Sequence, residues 1–166
     1  GATTATGTFS PPLDLMNVRN QVDTFLAGDP TFKDDQLYTV WGGGNDVRAA
    51  AMADNATAAT IEAAGAAALA NTKASIAALA EKGAKQFLWP NLPPMEKIPE
   101  AADMTDVQKA GLKKAAEKFR DDQEDAVEML DDMFPNITIC VLDVHGTFLD
   151  IVANPGNYGI TNTKDN

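Results

Sequence analysis

Cysteine, histidine and serine are nearly absent from these 166 residues. The lone cysteine, Cys140, excludes an intramolecular disulfide, and no basic or polar group flanks it to lower its pKa. It lies in the apolar run 137–142, so it reads as a small core residue rather than a nucleophile. The lone histidine, His145, leaves one imidazole for acid–base chemistry, and serine occurs only at positions 10 and 75. Basic side chains are also scarce, 13 against 24 acidic ones, and the formal net charge of −11 repels nucleic acid and anionic membranes. No stretch has the length and apolarity of a membrane span, and no basic region followed by an apolar core opens the chain.

What is present suits one globular domain. Hydrophobic residues make up 45% of the chain and charged residues 22%, and the length is enough to bury a real core. Three apolar runs of strand length, 36–41, 86–89 and 137–142, are separated by long helical patterns. That βαβαβ rhythm predicts a parallel sheet with covering helices. In the first crossover Ile61, Gly65, Ala68, Leu69, Thr72, Ile76 and Leu79 fall three or four apart on one face and stop at Gly83, a helix C-terminal signal. The second crossover opens at Thr105, with Gln108 completing a capping box, and carries Ala115, Phe119, Ala126, Leu130 and Phe134 along one side. The carboxylates of 120–132 read as a solvated helix face, not a metal site. Ahead of the first strand, Leu15, Val18, Val22, Phe25 and Leu26 form a further amphipathic pattern ended by Gly28-Asp29-Pro30.

A parallel sheet carries the loops that follow its strands to one edge, where open α/β folds bind ligands. Three loops meet there by this reading: 42–46, 90–95 and 143–146. The first is the most informative. An apolar strand breaks into Gly42-Gly43-Gly44 and delivers Asn45 and Asp46 at the break. Glycine lets a ligand approach the main chain and an Asn amide donates without adding charge, two ingredients of oxyanion stabilisation. The same residues are also ordinary turn and helix-cap chemistry.

Four stretches together resemble the SGNH hydrolases, also called the GDSL esterase and lipase family. Gly1-Ala2-Thr3-Thr4 is similar to the end of that family's second block, and 37–46 to its third block with the Gly-x-Asn-Asp signature. Residues 83–94 are similar to its strand followed by Asn-Leu-Pro-Pro, and 143–162 to its Asp-Val and Asn-Pro-x-x-Tyr-Gly segment. The resemblance implies a three-layer α/β/α sandwich around a parallel, flavodoxin-like sheet. It implies hydrolysis of small-molecule, lipid or carbohydrate esters through a serine nucleophile and an acyl-enzyme, with no metal or organic cofactor. Secretion or a periplasmic location follows by family analogy.

Carried over position by position, the resemblance makes Asn45 the side-chain donor of an oxyanion hole and Gly1 the backbone donor. The family's nucleophile belongs to a Gly-Asp-Ser motif and its base to an Asp-x-x-His motif, and neither is present. Ser10 precedes Pro11-Pro12, Ser75 lies inside the alanine-rich helix, and His145 falls in the Asp-Val segment, two residues from Asp143, instead of in the base motif. The expectation is that residues 1–166 are the central part of one such domain, inactive alone, whose partner is the remainder of its own polypeptide. A catalytically dead ligand-binding or scaffold domain of the same fold is the alternative. A flavodoxin-like phosphate binder is disfavoured, because no Gly-x-Gly-x-x-Gly or Walker pattern follows the glycines.

Overall fold

The structure is a computed structural model that describes residues 3–4 and 17–161. Three strands, β1 (Leu37–Thr39), β2 (Gln86–Pro90) and β3 (Thr138–Leu142), form one parallel sheet in the order β1-β2-β3. Five α-helices accompany them: α1 (Val18–Ala27), α2 (Gly44–Ala51), α3 (Ala58–Glu81), α4 (Asp106–Met133) and α5 (Val144–Ala153). The fold is α/β with long helical crossovers, as the rhythm of apolar runs predicts.

The two long helices begin where side chains satisfy orphan backbone donors. Thr105 accepts from the Gln108 N–H while the Gln108 side chain accepts from the Thr105 N–H, the capping box read from sequence. Thr57 and Thr60 form a second box at the start of α3. That one escaped notice because threonine stands where Glu or Gln usually does. At the other end of α3, Gly83 takes φ +110° and its N–H bonds the Ala80 carbonyl, which ends the helix as expected.

All seven residues assigned to the inner face of α3 are buried, together with Ser75. The alanine-rich surface brings α3 very close to α4. A Cβ on Gly65 would sit 3.1 Å from Ala115 Cβ, and one on Gly111 would sit 2.7 Å from Ile61 Cδ1. Small residues thus set the spacing of the two helices, and larger ones there force them apart. On α4, Ala115, Phe119, Ala126 and Leu130 are buried, and Phe134 packs against the core from its edge.

Register settles which side chains share a sheet face. Tyr38, Phe87 and Ile139 lie level across the three strands and pack into the helical core. Tyr38 also joins Phe25, Phe32 and Phe87 in a chain of ring contacts that ties α1 to the sheet. The alternate row, Thr39, Leu88 and Cys140, faces the other way.

Cys140 is exposed, which corrects its assignment to the core. The cause is topological. Among the described residues β3 is an edge strand, and Val141 and Leu142 beside Cys140 are 40% and 46% exposed, so an apolar run of strand length does not by itself mean burial on both faces. Among the described residues no helix is long and apolar enough to cross a membrane.

Candidate active site

The chain leaves β1 through Val40, which is buried, and Trp41, which is exposed. Gly43 then takes φ +111°, a conformation that L side chains rarely adopt. A Cβ at Gly43 would also lie 3.2 Å from Ala68 Cβ, Leu92 Cδ2 and Phe119 Cε2. Glycine here has two independent causes, backbone conformation and packing. The sharp turn lets α2 begin at Gly44, and Asn45 falls in its first turn, half-buried. There the aligned peptide dipoles of the helix present their positive end.

Asn45 lines a groove of about 780 Å³ that runs along β1. Val22 and Phe25 of α1 form one wall, and Trp41, Leu92, Met95 and Ile98 contribute further apolar surface. Arg48, one turn beyond Asn45 on α2, stands at the same groove and forms a two-pronged ion pair with Glu100, in the 3₁₀ turn Pro99–Asp103. Hydrogen bonding to Glu100 raises the Arg48 pKa, and the same bond lowers that of Glu100.

Asp46 does more than shape the turn. Its carboxylate accepts from the Thr4 N–H at 3.0 and 3.1 Å and from the Thr4 hydroxyl at 2.9 Å. Asn71 of α3 donates to the same hydroxyl at 3.3 Å, and Thr4 is fully buried. One residue earlier, the Thr3 carbonyl accepts from the Val18 N–H at 2.8 Å and its hydroxyl donates to Asn17 Oδ1 at 3.0 Å. Thr3-Thr4 is therefore fastened beside the helix that carries Asn45.

Segments that follow all three strands meet at Asn91, the first of them through Trp41, one residue ahead of 42–46. The Asn91 carbonyl accepts from Trp41 Nε1 at 3.1 Å, its Nδ2 donates to Asp143 Oδ1 at 2.9 Å, and its Oδ1 accepts from the His145 N–H at 2.8 Å. Its own N–H bonds the Leu142 carbonyl at 3.1 Å. Asp143 caps α5 by accepting from the Gly146 N–H at 2.9 Å. The bonds from Asn91 and Gly146 hold its carboxyl below the usual range, with burial opposing them.

Residues 1–165 match the family model described as GDSL-like lipase/acylhydrolase. The chain belongs to that family. It is the family named SGNH above, and its activity is hydrolysis of the esterase or lipase type. No individual curated protein matches the chain.

In this GDSL-like hydrolase the structure separates the candidate residues. Asn45 lies at the groove, whereas Gly1 and Ser10 fall outside the described residues. Ser75 is buried within α3, and its hydroxyl donates to the Asn71 carbonyl at 2.9 Å, which commits it to the helix. His145 is also buried, its Nδ1 has no hydrogen-bond partner among the described residues, and it is not among the residues lining the groove. Among the described residues no cluster of three or more His, Cys, Asp or Glu side chains is placed to hold a metal ion.

Two participants were missed in the sequence. Asn91 joins the loops of the GDSL-like fold; its segment, 90–95, was placed at the sheet edge, but its side chain was given no part in holding the loops together. The contact of Asp46 with Thr4 spans 42 positions, and no local pattern announces it.

Proposed function

We propose that this chain forms the oxyanion-hole part of a serine carboxylester hydrolase, with the Asn45 amide as one donor and the Gly1 N–H as the other. The observation that carries the reading is Asn45 in the first turn of α2, on the wall of an apolar groove. An uncharged amide at a helix N-terminus stabilises negative charge as it develops on a carbonyl oxygen and makes little demand on the ground state. The fastening of Thr3-Thr4 beside α2 supports the second donor, because three residues of chain reach at most about 10 Å.

In this reading the nucleophile is a serine outside the described residues, activated by a general base that the described residues do not supply. The hydroxyl adds to the ester carbonyl as the base takes its proton. The tetrahedral oxyanion then sits at Asn45 and Gly1, and the alcohol leaves as an acyl-enzyme forms. Water releases the acid in a second passage through the same hole.

The competing reading is a catalytically dead domain that binds an acyl or glycan ligand in the groove. The two separate in an assay of the intact polypeptide against p-nitrophenyl esters, with a serine-directed phosphonate as inhibitor. Hydrolysis that the phosphonate abolishes with one equivalent bound supports the enzyme. Neither turnover nor phosphonylation leaves the binding domain.

A further inference from the structure

We infer that Asp46 is a positioning residue whose carboxylate clamps Thr4 and thereby sets the spacing between the two donors of the oxyanion hole. The inference rests on the oxyanion reading of Asn45 and Gly1. It adds a role for a residue that the reading leaves to the turn.

The geometry is that of a clamp. A carboxylate accepts only, and both oxygens of Asp46 face Thr4, which offers a backbone N–H and a hydroxyl at 2.9 to 3.1 Å. Charge-assisted bonds of this kind are stronger than neutral ones and restrict direction as well as distance. The Asn71 amide occupies one of the hydroxyl's two acceptor sites from α3. The Thr4 methyl lies where a side chain on Gly42 would be, 2.9 Å from a Cβ built there, so the first glycine of the break makes room for the clamped residue.

Asn45 and Asp46 are consecutive in the first turn of α2, and Gly1 is three residues before Thr4. One carboxylate therefore links two segments that the chain separates by more than forty positions. Displacement of a catalytic group by about 1 Å costs roughly 100-fold in rate, so a loosened clamp registers in turnover before it registers in binding.

The sign of the effect distinguishes the clamp from a simple charge effect. Neutralising a carboxylate next to a developing oxyanion removes repulsion and favours the reaction. If charge alone mattered, Asp46→Asn would speed turnover. The clamp requires the opposite, because an Asn side chain sets a donor where Oδ2 accepts from the Thr4 N–H and replaces the charge-assisted bonds at Oδ1 by weaker neutral ones.

The test uses the intact polypeptide and p-nitrophenyl butyrate. For Asp46→Asn, kcat falls by roughly 10- to 100-fold with KM within about twofold of the parent. Thr4→Val, which keeps the backbone bonds and loses the hydroxyl, gives a smaller fall, and Thr4→Ser restores parent turnover. An unchanged or raised kcat in Asp46→Asn overturns the clamp, as does a loss that appears in KM alone. Should Asp46→Asn fail to fold, Thr4→Val and Thr4→Ser decide in its place, and equal kcat values for the two overturn the proposal. Asn45→Ala belongs in the same series. If it leaves kcat unchanged, the oxyanion reading itself fails, whereas a loss there with none in Asp46→Asn removes only the clamp.

Discussion

Replacing Gly43 by alanine puts one methyl group under two penalties that add. The first is conformational: φ +111° held by a residue with a Cβ costs about 1–3 kcal/mol. The second is steric. The new carbon meets Ala68, Leu92 and Phe119, each at 3.2 Å, and all three are at most 1% exposed, so none has solvent to retreat into. Overpacking of this kind costs about 1–3 kcal/mol. Alanine also restricts the unfolded chain, which returns about 0.4–1 kcal/mol. The net loss is about 2–5 kcal/mol, and at roughly 3 °C per kcal/mol for a chain of this size the midpoint falls by about 6–15 °C. The neighbouring glycine is an internal control. A Cβ on Gly44 meets nothing nearer than Met95 Sδ at 3.8 Å, and Gly44 is already helical, so Gly44→Ala stabilises by about 0.4–1 kcal/mol. Thermal melts followed by circular dichroism measure both. Equal midpoints for the two variants would refute the conformation assigned to the break after β1.

Two further outcomes follow from other parts of the structure. Asp143 has a folded pKa below its unfolded one, so its bonds from Asn91 and Gly146 stabilise the fold above the ordinary carboxylate value near 4 and are lost as pH falls through the folded value. Urea midpoints of the parent and Asp143→Asn should therefore differ at pH 7 and converge in acid, and a gap that is constant with pH would contradict this. Cys140, exposed on an edge strand, should react with an aromatic disulfide reagent in the native state to one equivalent per chain, and labelling only after denaturation would return it to the core.

Much of the fold was legible because it is written in local periodicity. The buried face of α3 shows in the spacing of Ile61 to Leu79, the start of α4 in Thr105 and Gln108, and the three strands in their apolar runs. What those signals share is that cause and effect lie within one or two turns of helix or a few residues of strand. Cys140 marks the limit. Its run has strand length, but whether a neighbour covers the strand depends on its place in the sheet, and no residue within the run encodes that place.

The site was legible in composition and hidden in connection. Three glycines followed by Asn45 and Asp46 announce a bared turn at a helix start, and the turn is there. The bonds that assemble it reach across the chain: Asp46 to Thr4 spans 42 positions and Asn91 to Asp143 spans 52. Contacts of that range arise from the sheet order and the crossovers, after the fold has brought the loops to one edge.

Turnover of a p-nitrophenyl ester by the Asn45→Ala variant of the intact polypeptide tests the oxyanion assignment most directly. Loss of one preorganised donor predicts a fall in kcat of about 10²–10³, with KM and thermal midpoint close to the parent values. A kcat equal to that of the parent would contradict the role given to Asn45.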